Sequence, residues 1–452
     1  MSAKVGEMIR KILMLLFAPV FVLVLAPATL PAQDGTTNGL IKSLAIKVKM
    51  YPDDYKSYAA LGAAYLQKGR ETGDSADYAL AKTALGKSLD LMSNDPAAAF
   101  AMTQMAVACM AEHQFEQAYT WAQKALAVGS GDPSPWAIAG DALADMGEYQ
   151  NAAEAYSRLK LVYGSEDEQH AISYQHDSRM SYLRLIAGDS QGAIQLMQSA
   201  VQIATDMHMP AENIAWSNYQ LGEEYSQIGD IARAEQAYLT ALHLYPGYYR
   251  ALAGLAKVGS TQGNYRDAAA FYDKAIVAVP YPEYAAALGD VYRALGESDK
   301  AQKEFELVEF IGHLSEINQQ IHNRELALFY ADHGMKLEQA VVLARKELEV
   351  RHDVYTWDVL AWALFKHGES KEAAVSLSHA LSQGTRDAQL FFHAGMIYAD
   401  LGDSAKAQEF LHQALMINPH FHPIYAETAR QALAKLTAKT GLSPVQEATN
   451  AK

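Results

Sequence analysis

The stretch Asn218-Tyr219-Gln220-Leu221-Gly222-Glu223-Glu224-Tyr225, then Gly229, then Ala234-Glu235-Gln236-Ala237-Tyr238-Leu239-Thr240-Ala241, closed by Pro246, decides the fold. Leu221 and Tyr225, then Ala234, Tyr238 and Ala241, recur at helical spacing on either side of a glycine. Such a stretch reads as two amphipathic helices joined by a tight turn. Gly229 supplies the left-handed residue that ends the first helix, and Pro246 stops the second. Small residues at Gly222 and Ala234 let the two helices approach closely, and the large residues around them fill the space. A pair of this kind keeps one apolar face unsatisfied, so it must stack on a neighbour.

The same spacing recurs in both directions with a period of about 34 residues. Trp136, Ala139, Gly140, Leu143, Gly147, Ala152, Tyr156 and Leu159 form one copy. Leu255, Ala256, Gly263, Ala268, Tyr272, Ala275 and Pro280 form the next unit after the first stretch. Leu288, Gly289, Tyr292, Gly296, Ala301, Phe305 and Val308 follow it. Later copies run through Trp357, Leu360, Ala361, Leu364, Gly368, Ala373, Leu377 and Ala380, and through Phe391, Ala394, Gly395, Tyr398, Gly402, Ala407, Leu411, Ala414 and Pro419. Weaker copies are marked by Leu61, Gly62 and Tyr65, by Ala118, Ala122, Ala125 and Pro133, by Gly188, Ala193, Met197 and Ala200, and by Ala340 and Ala344. The first copy has its inter-helix loop lengthened around Glu71–Asp77. The pattern resembles the tetratricopeptide repeat (TPR). That resemblance implies an all-α fold, a right-handed TPR superhelix (an α-solenoid) of about ten helix–turn–helix repeats with terminal capping helices.

The repeats span residues 55–420. Residues 33–54 read as a linker and an N-terminal capping helix, from Gly39 to Met50. Residues 421–439 read as a C-terminal capping helix, with Tyr425, Ala429, Ala432, Leu433 and Leu436 at helical spacing. Residues 440–452 read as a disordered tail. In residues 1–32, Lys4, Arg10 and Lys11 precede an apolar run from Ile12 to Ala26, and small residues follow at Ala28 and Ala32. This is the order of a secretory signal peptide. An uncleaved membrane anchor is the alternative, since a spanning helix needs about 20 apolar residues and this run is shorter. The expected location is therefore periplasmic or extracellular, or anchored by the N-terminal helix.

The formal net charge of −15 argues against nucleic acid, because phosphate binding needs clustered Lys and Arg. It also argues against a general attraction to anionic lipid. Cys109 is the one cysteine, which rules out an intrachain disulfide. It falls in the first helix of a repeat, where a buried, inert thiol is expected. Phosphate-loop, nucleophile-elbow and HExxH zinc signatures are absent. His420 and His422 are spaced poorly for a metal, and Asp332-His333 reads as a turn. No enzyme activity, cofactor or metal is expected.

Phe329-Tyr330-Ala331-Asp332-His333-Gly334, Asp358-Val359-Leu360-Ala361-Trp362-Ala363-Leu364, Gly384-Thr385-Arg386-Asp387-Ala388, His393-Ala394-Gly395-Met396-Ile397 and Asn418-Pro419-His420-Phe421 resemble one uncharacterised group of exported bacterial TPR proteins. The resemblance runs over residues 150–435 and implies a solenoid outside the cytoplasm, with no catalytic site.

TPR proteins bind along the concave face of the first helices. Carried onto this chain, the middle of that groove receives Asp141, Asp145, Tyr182, Trp216, Tyr219, Glu223 and Asp290. Its C-terminal part receives Tyr355, Trp362, Phe365, Phe392 and Met396. The cations Lys257 and Arg293 are outnumbered, so no carboxylate clamp is expected. The expected function is a protein-binding scaffold for a basic or apolar peptide or a partner protein. Trp362 is the leading anchor candidate. A solvated acidic face, and aromatics buried under the capping helix, are the competing readings of these residues. A membrane-anchored assembly subunit and a small-molecule groove are the alternatives for the whole chain.

Overall fold

The computed structural model describes residues 37–72, 75–92, 95–129, 131–161, 165–317 and 323–440. Residues 1–32, where a signal peptide or anchor is expected, the first residues of the expected linker and the residues from 441 onward lie outside the described residues. Every regular element described is helical.

The helices are α1 (Thr37–Met50), α2 (Tyr55–Thr72), α3 (Ser75–Leu91), α4 (Ala99–Ala111), α5 (Phe115–Ala127), α6 (Ser134–Asp145), α7 (Tyr149–Leu159), α8 (Glu166–Ile186), α9 (Ser190–Asp206), α10 (Ala211–Gln227) and α11 (Ile231–Leu244). They continue as α12 (Tyr249–Thr261), α13 (Tyr265–Ala278), α14 (Pro282–Ala294), α15 (Ser298–Ile317), α16 (Asn323–His333), α17 (Leu337–Glu347), α18 (Val354–His367), α19 (Ser370–Ala380), α20 (Ala388–Asp400), α21 (Ser404–Ile417) and α22 (Tyr425–Thr440). From α2 to α21 they form successive helix–turn–helix pairs, with α1 before them and α22 after. The long loop expected over Glu71–Asp77 is largely helix instead. α2 runs on to Thr72, where Gly69 accommodates the Tyr78 ring, 2.8 Å from where a Cβ would stand.

The repeat chemistry is visible at the glycines. Gly222 lies under the ring of Tyr238, where an added Cβ would sit 2.5 Å from Cε1. Gly140 lies in the same way under Tyr156, Gly289 under Phe305 and Gly395 under Leu411. One missing side chain thus makes room for one large one, and the ring or isobutyl group becomes fully or nearly buried. The turns after Gly222 and Gly395 use an aspartate as helix cap: Asp230 accepts from Arg233 N at 3.1 Å and Asp403 from Lys406 N at 3.1 Å. Each cap contributes about 1 kcal/mol.

The chain divides into two compact units. The first comprises Met1–Met180, Val277–Tyr281 and Phe310–His322. Its core runs through Leu66, Tyr78, Leu85, Met110, Phe115, Ala118 and Ala122, and includes the buried Cys109. Burial pushes that thiol up to about 11, so it stays protonated and inert. Leu44 and Val48 seat α1 against Leu61 and Ala64 of α2. The second unit comprises Ser181–Ile276, Pro282–Glu309 and Asn323–Lys452, and it holds most of the candidate site. No helix among the described residues is long and apolar enough to cross a membrane.

Candidate functional site

The second unit closes on itself. Thr385 Oγ1 donates to Ile186 O at 2.5 Å, Asn418 Nδ2 to Ser226 O at 2.7 Å, and Gln227 Nε2 to Asp387 Oδ2 at 3.3 Å. The helix-ending turns at Gly188 and Gly229 therefore abut the loops after α19 and α21. Both glycines are left-handed, with φ of 78°. A Cβ on Gly188 would collide with Gly384 O, and one on Gly229 would lie 3.2 Å from Ile417 O. Thr385→Val keeps the buried shape and removes the donor. We expect a loss of about 1–3 kcal/mol in local stability, seen as faster amide hydrogen exchange over residues 186–189. Unchanged exchange there would mean that the contact is incidental.

Inside this closed unit, α22 covers the aromatic cluster of α18 and α20. Tyr425 stacks on Phe392 with centroids 4.9 Å apart and meets Trp362 edge-on at 5.9 Å. Phe421 packs on Phe392 at 5.7 Å. Trp362 is 2% exposed and Phe392 1%. These two residues are therefore not a free anchor surface: the covered arrangement is the one observed, because the tyrosine at the start of α22 completes the cluster. Tyr355, Phe365 and Met396 are half-buried, and Phe365 stacks on Trp362 at 5.1 Å.

The polar atoms of the cluster converge on Asp332. Trp362 Nε1 and Tyr425 Oη both donate to its Oδ1, each at 2.7 Å. Beneath Trp362, the His393 ring stacks at 4.1 Å, and its Nδ1 lies 3.0 Å from both carboxylate oxygens of Asp358. Burial and the neighbouring Asp332 raise the Tyr425 pKa, so its hydroxyl stays a donor.

Next to this knot is a cleft of about 400 Å³ lined by Asp290, Arg293, Ala294, Asp332, His333, His422, Ile424 and Tyr425. His333 Nδ1 lies 2.8 Å from Phe329 O and Nε2 lies 3.1 Å from Asp290 Oδ1. A carbonyl and a carboxylate both only accept, so both ring nitrogens carry protons and the ring is an imidazolium. Burial opposes that charge, but the bonds to Asp290 and to the Phe329 carbonyl outweigh it and the pKa is raised. His422 is the opposite case. Its Nδ1 accepts from Ile424 N at 3.1 Å and Tyr425 N at 3.2 Å, capping α22, and burial lowers its pKa. Arg293 stands at the rim with its side chain 56% exposed and 3.9 Å from Asp290. The cleft thus joins two carboxylates, one buried imidazolium and one solvated guanidinium over an apolar wall of Ala294, Ile424 and the Tyr425 ring.

The remaining expected residues are spread more widely. Trp216 is buried, while Tyr182 and Tyr219 are half-buried. Tyr219 packs on Tyr238 at 6.0 Å and on Tyr248 at 6.2 Å, and Arg250 lies 5.8 Å from its ring. Glu223 accepts from Tyr238 Oη at 2.5 Å and lies 3.5 Å from Lys257 Nζ. In the first unit, Asp141 is not an open groove acid. It is 9% exposed and forms a two-pronged ion pair with Arg179, Nε to Oδ1 at 2.8 Å and Nη2 to Oδ2 at 3.0 Å, with Tyr156 Oη adding a third bond at 2.9 Å. Asp145, one turn on, is half-buried. Sequence reasoning missed Asp332, Tyr425 and Arg179 as site-forming residues. Their partners lie 30, 93 and 38 positions away. Among the described residues no group of three or more His, Cys, Asp or Glu side chains could hold a metal ion.

Two segments match tetratricopeptide-repeat family models, residues 219–285 and residues 388–421. The chain thus carries TPR repeats, and that fold generally mediates protein–protein interaction through its concave face. No curated protein matches the chain significantly. Among solved structures it is similar to that of MamA, at 21% identity over 38% of this chain and 94% of that one, with a TM-score of 0.30. It is similar to a tetratricopeptide repeat protein from Parabacteroides merdae, at 18% identity over 59% of this chain and 99% of that one, with a TM-score of 0.34. It is also similar to PilW, a type IV pilus biogenesis factor, at 17% identity over 46% of this chain and 90% of that one, with a TM-score of 0.38. Likenesses this low assign no partner or activity to this chain.

Proposed function

We propose that the protein is an exported interaction scaffold whose second unit takes a basic segment of a partner protein. The observation that supports this is the cleft between Asp290 and Asp332. Two carboxylates stand beside an apolar wall; His333 bonds Asp290 from the buried side, and on the solvent side the only cation of the lining, Arg293, is solvated and 3.9 Å from that acid. An incoming lysine or arginine can displace Arg293 from Asp290, lay its alkyl stem on Ile424 and Tyr425, and place its charge between the acids. Glu223 and the Tyr219 ring extend the same acidic and aromatic character along α10.

The test is binding of the full chain to a panel of fluorescent peptides that differ in lysine and arginine content, followed by anisotropy. Basic peptides are expected to bind better than acidic ones. Asp290→Asn is expected to weaken them roughly tenfold or more, as loss of a charge-assisted hydrogen bond of about 1.5–3 kcal/mol requires. Equal binding of acidic peptides, or an unchanged affinity in a variant that keeps its helical circular dichroism, would sink the proposal.

Export rests on Lys4, Arg10, Lys11 and the apolar run Ile12–Ala26. The same run supports the second reading, an anchored subunit of an envelope assembly. Loss of about 3 kDa from the chain in its native cell would support cleavage, and a full-length mass would support the anchor.

A further inference from the structure

The end helices of a repeat array are expected to present a polar outer face. α1 does not. Leu44 and Val48 seat it on α2. At about 100° per residue, Ile46 points to the opposite pole, with Lys42 and Lys49 on one side of it and Met50 on the other. Ile46 is 58% exposed, Met50 62% and the adjoining Tyr51 58%. The helix holds three lysines, Lys42, Lys47 and Lys49, and no acid. Lys47 reaches sideways to Asp54 at 3.4 Å, which leaves Lys42 and Lys49 flanking the apolar spot. This occurs in a chain whose net charge is −15, so the basic character is local to this face.

We infer that the outer face of α1 rests on an anionic lipid surface. A centre of isoleucine and methionine edged by lysines and a tyrosine is the composition of a helix lying in the plane of a bilayer interface. A symmetric contact with a second copy is disfavoured, since it would bring Lys42 and Lys49 near their own equivalents. The sequence is consistent with this placement. Ten residues separate the apolar run ending at Ala26 from Thr37, a span of at most about 35 Å. The inference does not depend on the basic-peptide cleft, which lies in the other unit.

The test uses the full chain with Ile46→Cys carrying an environment-sensitive fluorophore. Cys109 is buried and unreactive, so labelling is selective. A label at Met416→Cys, which is 70% exposed in the native side chain, is the control. With vesicles of phosphatidylcholine and phosphatidylglycerol, the label at 46 is expected to shift to the blue and to be quenched by brominated lipid, and the control is expected to stay in water. Lys42→Gln and Lys49→Gln should each weaken that contact roughly fivefold, from about 1 kcal/mol per lysine near an anionic surface. Water-like emission from residue 46 on vesicle-bound protein overturns the inference. A blue shift without lipid also overturns it, in favour of a protein partner or a second copy.

Discussion

Arg179→Met is expected to destabilise the first unit by about 3–5 kcal/mol, the largest single effect we foresee in that unit. Arg179 and Asp141 are both nearly buried, at 8% and 9% exposure, and meet through two parallel hydrogen bonds. Removing the guanidinium leaves a carboxylate out of water with only the Tyr156 hydroxyl beside it, and an uncompensated buried charge is what makes broken ion pairs so costly. The double variant Asp141→Leu with Arg179→Met removes both charges, leaving the Tyr156 hydroxyl without this acceptor and the Gln175 carbonyl without the guanidinium. It should therefore lose much less than the sum of the two single changes. A stack of repeats does not unfold in one step, so the readout is amide hydrogen exchange over α6 and α8 beside the denaturation profile. Additive single and double effects would mean that the pair is not coupled. The same experiment separates two roles for Asp141. A groove acid would change partner affinity at constant stability, whereas an ion-paired acid changes stability first.

That contrast marks where sequence reading stops. The helix pairs were legible because their causes are local. Gly222 and Tyr238 stand 16 positions apart within one pair, and the ring needs the missing side chain. That Asp141, Glu223 and Asp290 stand on the first helices of their pairs was legible for the same reason. What each of them faces was not. Asp290 meets His333 across 43 positions, and Thr385 meets Ile186 across 199. Such pairs depend on how successive helix pairs curve, which is a sum of small packing angles and leaves no motif. The residues involved were nonetheless conspicuous. Gly384-Thr385-Arg386-Asp387 and Asn418-Pro419 stood out only through a family resemblance that implied no role for them, yet they supply the closing contacts. Asp332 read as a turn residue, and Trp362 as either an exposed anchor or an aromatic buried under the capping helix; the two are joined through one hydrogen bond and sealed by Tyr425. An unusual run of polar residues in a repeat loop is thus a sign of contact with a distant repeat as much as of ligand binding.

The closing contacts are expected to respond to a proton held two residues away on the same helix. Glu224 on α10 is 5% exposed, and its Oε1 is hydrogen-bonded to the Ser181 hydroxyl, which also bonds Ala193 O at 2.9 Å. A hydroxyl has one proton. If Ser181 donates it to the Ala193 carbonyl, the proton between Ser181 and Glu224 must come from the carboxyl. In that arrangement Glu224 is a neutral acid, and its second oxygen is buried without a hydrogen-bond partner in the structure; when Glu224 is ionised, Ser181 donates to it instead. Burial pushes its pKa up to about 7, only partly opposed by the Ser181 bond. No charged side chain contributes to that shift.

The folded state then binds a proton that the unfolded chain gives up at the ordinary glutamate value. The stabilisation is fully present below that ordinary value and is lost as the pH rises through about 7, amounting to about 3 kcal/mol. Glu224→Gln mimics the neutral acid and can donate to Ser181, so it should flatten this part of the pH dependence. It should also be more stable than the native chain at pH 8. Glu347, also pushed up to about 7, adds a slope of the same sign that persists in the variant, so the informative quantity is the difference between the two profiles. Ser226, Gln227 and Gly229, the residues that touch Asn418, Asp387 and Ile417, begin two positions further along the same helix. Ionisation of Glu224 at high pH should therefore speed hydrogen exchange at residues 226–229 before it does so in the rest of the second unit. Parallel pH profiles for native and Glu224→Gln protein would show that Glu224 does not hold this proton.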